Sequence, residues 1–311
     1  MNGPANQVLG PPWSERVTRL RLGIAARDGL GRSAAPAGLG LYLEDVPRPW
    51  TYPADPGVLI GEDAGLPGVR CSPAGRFALT FTGRQGQAGS RVLLRMIDRS
   101  RRYVPRRYSV PVPDEDTVLA AELAHAADPA QPLVPRSFRP ALFPGAAYGV
   151  AAGATVLRGM VLDAATSAPV PWARVEARTA QPIDVIDDQG NVVATHPVLG
   201  RAHGDDRGEF LLVVGALPRD VVVTATTPMI ELLVRVTAGP SPAVFDASAS
   251  PLQSPRDPVW RLPVEIVPDL APDDGVTSGV TDPAGYTATV TETVSCRRGA
   301  ATRPAVVFRV S

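Results

Sequence analysis

Short runs of alternating, often β-branched residues, each closed within a few positions by Gly, Pro, Asp or Asn, recur along most of the chain. They are RVTRLRLGIAAR (16–27), LGLYLE (39–44), RFALTF (76–81), RVLLRMID (91–98) and YSVPV (108–112), then TVLRGMVLD (155–163), ARVEART (173–179), EFLLVV (209–214), DVVVTAT (220–226) and ELLVRVT (231–237). Period-two alternation sends successive side chains to opposite faces of a sheet, and punctuation this dense leaves little room for long helices. With 34 Pro and 29 Gly in 311 residues, the expected fold is all-β and antiparallel.

The two groups of runs are separated by residues 113–154. DEDTVLAAELAHAAD (114–128) is the one convincing helical stretch: acidic residues crowd its first turn, and Val118, Leu119, Leu123 and Ala126 fall on one face. PAQPLVPRSFRPALFPG follows, and its prolines argue against any regular element. A short helix and an extended, Pro-rich linker are expected here.

The groups also repeat each other. RDGLGRSAAPAGLGLYLE with a later SPAGRFALTF is answered by LDAATSAPVPWARVEA with a later DDRGEFLLVV. Each has an Asp-led turn, a Pro and a strand, and then a polar-x-x-Gly-x-Phe turn into another strand. Asp28 to Gly75 spans 47 residues, Asp163 to Gly208 spans 45, and the offset between copies is about 135. Two copies of one β-sandwich unit are implied. The expected organisation is an N-terminal sandwich (1–112), the helix and linker (113–154), a second sandwich (155–258) and a C-terminal β segment (259–311). That last segment is either a third small sandwich or strands completing the second. Asp282, Gly285 and Tyr286 echo the same turn there.

LRGMVLDAATSAPVPWARVEA followed by GDDRGEFLLVV resembles the carboxypeptidase regulatory-like domain, a transthyretin-like or CnaB-type sandwich. Gly159, Val161, Asp163, Pro169, Ala173 and Val175 match the first part of that pattern, and Asp205, Gly208 and Phe210 match its later turn. The resemblance covers about residues 155–237 and implies tandem Ig-like or prealbumin-like sandwiches, which carry no particular function. Asp28, Gly75, Asp163, Pro169, Asp205, Gly208 and Phe210 are thus the expected fold-defining turn residues. Asp163 would accept turn N–H groups, Gly208 would supply a positive φ, and Phe210 would enter the core.

The chemistry associated with such folds is absent from the sequence. Some CnaB-type domains form a lysine isopeptide, and all 31 basic residues here are arginine. Three histidines (His125, His196, His203) without a His-x-His spacing do not resemble the iron set of intradiol dioxygenases, and the ending VVFRVS lacks the Tyr-Arg-Gly-Ser of hydroxyisourate hydrolases. There is no nucleophile elbow, P-loop, zinc-protease helix or EF-hand loop. His203 with Asp205, Asp206 and Glu209 is a weak metal candidate, since neighbours beside a turn face different ways, and Asp187 with Asp188 reads as a hairpin turn. Cys71 and Cys296 read as separate reduced thiols. No catalytic, cofactor or metal residues are assigned.

One local feature stands out. Between residues 90 and 110 seven arginines (Arg91, Arg95, Arg99, Arg101, Arg102, Arg106 and Arg107) face one acid, Asp98, in a chain of zero net charge. Either this is a solvated hairpin tip, or Arg99, Arg101, Arg102, Tyr103, Arg106 and Arg107 form a protein interface for an acidic surface. Zero net charge argues against nucleic acid, no run is apolar and long enough for a membrane span, and the absence of an apolar leader predicts a cytoplasmic protein. The expectation is a non-enzymatic structural connector that assembles with other protein subunits in a phage tail or tail-like contractile injection particle, with a homo-oligomer in a ring or fibre as one form of that assembly. The alternatives are a carbohydrate-binding or adhesive module, which would display Trp13, Trp50, Trp172 or Trp260 as a platform, and an accessory domain of a separate enzyme.

Overall fold

The computed structural model describes residues 20–31, 38–43, 58–60, 69–72, 76–80, 91–186, 189–215, 229–239, 262–271, 274–302 and 305–311. They form an all-β architecture of antiparallel-dominated sheets with two helices, Glu115–Ala127 and Gly275–Ser278. Gly75, Asp187, Asp188, Trp13, Trp50 and Trp260 lie outside the described residues, as does the Cys71 side chain.

The two halves share one topology. In the first, Leu20–Ile24 is flanked by Phe77–Thr80 antiparallel and Ser137–Phe138 parallel, with Arg27–Asp28 paired to Ala141–Leu142 just beyond. In the second, Thr155–Asp163 is flanked by Glu209–Val214 antiparallel and Val306–Val310 parallel. The facing sheets match as well. The order is Val58–Ile60, Leu39–Leu43, Arg91–Asp98, Arg106–Pro111 in one, and Val198–His203, Arg174–Thr179, Met229–Ala238, Ala288–Arg297 in the other. The hairpin Ile183–Ile186 with Val192–Thr195 is an addition to the second copy, and Val69–Cys71, antiparallel to Phe77–Thr80, is an addition to the first. Each sandwich buries its own apolar cluster, around Leu22, Leu94 and Phe138 in the first and around Leu157, Val234 and Phe308 in the second.

Two boundary expectations give way. The stretch expected as a linker contributes to the first core. Gly23, Ala25, Arg27 and Gly29 donate their N–H groups to the carbonyls of Arg136, Phe138, Pro140 and Leu142 at 2.7–2.9 Å, and Phe138, Leu142 and Phe143 are buried. Prolines are compatible with this because Pro140 keeps its carbonyl in the ladder and removes only one N–H rung, where the two strand pieces break. The helix before it lies on the surface: Val118 is its buried residue and Leu123 is 63% exposed.

Residues 259–311 match neither alternative alone. Ala288–Arg297 and Val306–Val310 complete the second sandwich, whereas Val264–Ile266 crosses back and pairs parallel with Arg106–Pro111, at the edge of the first.

The repeat's turn residues are placed by local hydrogen bonding. Asp163 Oδ1 accepts from the N–H groups of Ala165 and Thr166 and from the Thr166 hydroxyl at 2.7–3.0 Å, which holds its carboxyl below the usual range. Asp205 Oδ1 accepts from the Arg207 and Glu209 N–H groups, both at 2.9 Å, while burial pushes its carboxyl up. Gly208 has φ +74°, and a Cβ there would stand 2.7 Å from the Val161 carbonyl. Pro169 bridges to Leu162, and Phe210 lies in the core against Gly159, whose absent Cβ would fall 2.4 Å from the ring.

Candidate functional site

The strand Arg106–Pro111 alternates inward and outward, so Arg106 shares the inner face with Tyr108 and Val110. A guanidinium placed there must be fully bonded. Arg106 is 1% exposed, forks both Nε and Nη2 onto the Glu265 carboxylate, and donates to the carbonyls of Ala141 (2.5 Å), Val276 (2.7 Å) and Thr277 (3.4 Å). Glu265, 1% exposed on the crossing strand, also takes Arg174 Nη2 of the second sandwich at 3.0 Å. Burial alone would raise the Glu265 carboxyl; the two guanidiniums outweigh it and hold it below its ordinary value. The result is a buried Arg106–Glu265–Arg174 triad that joins the first sandwich, the crossing strand and the second sandwich.

The surrounding shell joins the same parts. Val104, Trp172 and Leu262 form a small apolar cluster, one residue from each. Trp172 takes φ +64°, a left-handed conformation that a bulky side chain adopts only when its neighbours enforce it. Its N–H donates to the Asp205 carbonyl (3.1 Å) and its carbonyl accepts from the Tyr286 hydroxyl (2.7 Å). His203 is 1% exposed and stacks on Phe143 of the first sandwich, with ring centroids 4.0 Å apart. Burial first, then the charges of Arg174 and Arg106, push the His203 imidazole well below its ordinary value.

The predicted arginine surface is thereby divided. Arg99, Arg101 and Arg102 are exposed at the hairpin tip; Asp98 shapes that tip by accepting from the Ser100, Arg102 and Tyr103 N–H groups at 2.9–3.2 Å. Arg107 is half-buried and reaches the Leu262 carbonyl at 3.4 Å. Arg106 and Tyr103 are corrections: both face inward and cannot meet a partner. Tyr103 donates its hydroxyl to Asp28 Oδ2 at 2.9 Å, and Tyr148 donates to the same oxygen at 2.6 Å. Burial followed by the Asp28 bond raises the Tyr148 hydroxyl to about 12. A groove of about 190 Å³ between the arginine tip and the second sandwich is walled by Arg99, Arg101, Trp172, Asp205 and Asp206.

The histidine and carboxylates of the AHGDDRGE stretch do not converge. His203 points into the junction, while the Asp205 carboxylate is occupied by its own turn. Among the described residues no group of three or more His, Cys, Asp or Glu is placed to hold a metal. Cys296 is a free, buried thiol that burial pushes up. No helix among the described residues is long and apolar enough to cross a membrane.

The alternation of Arg106 with Tyr108, Val110 and Val112 is a sequence signal for its burial. Glu265 carried none, because VEIV suggests Val and Ile inward, whereas Ile266 is 57% exposed and Glu265 is buried.

No protein-family model matches the chain, and no curated protein is significantly similar in sequence. Solved structures that match include the shaft pilin SpaA of Lactobacillus rhamnosus GG in two single-residue mutant forms. Each is 12% identical, with 75% of this chain and 92% of the pilin covered, at a TM-score of 0.17. A superposition at that score carries no argument, and the sandwich assignment rests on the strand pairing.

Proposed function

We propose that the chain is a non-enzymatic structural connector, a rigid double spacer within a larger protein assembly. The observation that carries the reading is the junction: two like sandwiches are fused by a crossing strand and a buried ion triad. Modules that only need tethering are joined by exposed, flexible linkers and modest interfaces. Modules that must hold a fixed distance and angle need a joint of this kind. As the specific form of this reading we propose a phage tail or tail-like contractile injection particle, with Arg99, Arg101 and Arg102 facing an acidic surface of a neighbouring subunit through bidentate guanidinium contacts.

The test is pull-down of the tagged chain from its native source, with negative-stain microscopy and mass spectrometry of the high-mass eluate. Tail-like particles containing this chain are the expected result. A chain that elutes alone overturns the assembly reading, and retention on an immobilised glycan array would replace it with the adhesive one.

A further inference from the structure

A surface groove of about 260 Å³ runs beside the outer strand Ser137–Phe138 of the first sandwich. One wall belongs to that sandwich and carries Pro135 and the arginines Arg27, Arg136 and Arg139; the other is Leu270, Ala271 and Thr277, from the segment that follows the crossing strand. The groove therefore lies across the joint, and the carbonyl of its wall residue Thr277 accepts from Arg106 at 3.4 Å.

Its charge is one-sided: three guanidiniums and no carboxylate line it among the described residues. Arg136 is committed to the fold, donating to the Leu20 carbonyl (3.0 Å) and pairing with Glu122 (3.1 Å). Arg27 and Arg139 have no acidic partner. Arg27 is partly buried without a side-chain hydrogen bond or ion pair among the described residues. Strand alternation turns its neighbour Asp28 to the other side, onto the Tyr103 and Tyr148 hydroxyls. Arg139 is exposed and spends its Nε–H on the Ser137 hydroxyl (3.0 Å), which leaves both ends of its fork unengaged. The described acids that flank the other wall in sequence serve their own turns: Asp269 Oδ1 accepts from the Ala271 N–H (2.8 Å) and Asp274 Oδ1 from the Thr277 N–H (2.7 Å).

A guanidinium in this setting gains most from a carboxylate, which it can take bidentately. The rest of the lining sets the kind of occupant. Pro135, Leu270 and Ala271 supply apolar surface that a bare inorganic anion would leave wet. The groove is smaller than the sites that enclose organic ligands, about 300–1,000 Å³, and suits a few side chains of a segment laid along it.

We propose that this groove docks an acidic peptide segment of a neighbouring protein subunit. Arg27 and Arg139 each take a carboxylate, and an apolar side chain beside them rests on Pro135 and Leu270. That the occupant is a protein rests on the connector reading; the charge and shape of the site do not. A segment held there touches the first sandwich and the second half at once, so it braces the joint from outside.

Two labelled peptides titrated into the full chain by fluorescence anisotropy test this, one of alternating Glu and Leu and a twin with Gln in place of Glu. The Glu peptide is expected to bind about tenfold more tightly than its twin, the least that two charge-assisted pairs supply. Arg27→Gln with Arg139→Gln disturbs only the Ser137 bond, so the chain is expected to fold with its melting midpoint within about 2 °C of the parent while the difference between the peptides disappears. Replacing Arg99, Arg101 and Arg102 by Ser is expected to leave peptide binding within about twofold, which separates the groove from the hairpin tip. Equal binding of the two peptides, binding by neither, loss with the tip variant in place of the groove variant, or displacement by inorganic phosphate at equal concentration each overturns the proposal. The titration needs the purified chain alone, so its failure leaves the pull-down result standing, and a failed pull-down leaves the titration standing.

Discussion

The two sandwiches differ most at one loop. In each, a loop joins the third and fourth strands of the larger sheet. In the first copy it is the short tip 99–105, ordered by Asp98; in the second it is the excursion 239–287, which contains the crossing strand, the Gly275–Ser278 helix and Tyr286. The first loop presents charge to solvent. The second carries a carboxylate into the partner sandwich, onto Arg106, which follows the first loop directly. Between two sheets of like strand order, the short loop thus stays at the surface and the long one serves as the joint.

The comparison is broken most severely at Glu265. Glu265→Ala leaves two guanidiniums buried without a counter-charge, and a loss of about 3–5 kcal/mol is expected in chemical denaturation, with the single transition splitting as the sandwiches uncouple. A loss below about 1 kcal/mol would mean that the triad is not what couples them.

Next comes the pair of repeat-equivalent aspartates. Asp28→Ala strands two tyrosine hydroxyls and is expected to cost about 2–3 kcal/mol. Asp163→Ala, whose carboxylate serves an exposed turn, is expected to shift the denaturation midpoint far less. Equal effects would show that the two copies use this residue alike.

Acid sharpens the contrast between buried and exposed imidazoles. The unfolded chain protonates His203 near its ordinary value, while the folded chain resists protonation because the ring is buried beside Arg174 and Arg106. Stability contributed by this group is therefore present above about pH 6.5 and lost as pH falls, by up to about 1.4 kcal/mol per pH unit. His203→Gln is expected to flatten that slope in a pH series of melts; an unchanged slope would assign it to other groups.

The smallest effect belongs to the short loop. Arg99, Arg101 and Arg102 replaced by Ser are expected to change stability by no more than about 0.5 kcal/mol while weakening incorporation into the native assembly. Unchanged incorporation would remove the tip from the interface.

What the sequence revealed follows from how local each feature is. The turns of the second copy are readable because Asp163, Gly208 and Phe210 act locally, through turn N–H groups, a positive φ and one core position. Ser137–Leu142 was hidden because its prolines signal irregularity, whereas a parallel neighbour needs only alternate carbonyls from it. The arginine cluster is dense along the chain but divided in space, because a strand alternates: Arg106 is in phase with the buried Tyr108 and Val110, and Arg107 is not. Glu265 was unreadable, since its burial depends on Arg106 and Arg174, 159 and 91 positions away in sequence.

The crossing strand also sets an order of events during synthesis. The first sandwich emerges from the ribosome early, but the edge at Arg106–Pro111 stays unpaired, with Arg106 lacking its counter-ion, until residue 266 has been made. An open edge of this kind is a template for pairing with other nascent chains. A chain that ended between the two sandwiches would therefore lack both the strand that covers this edge and the carboxylate that meets Arg106.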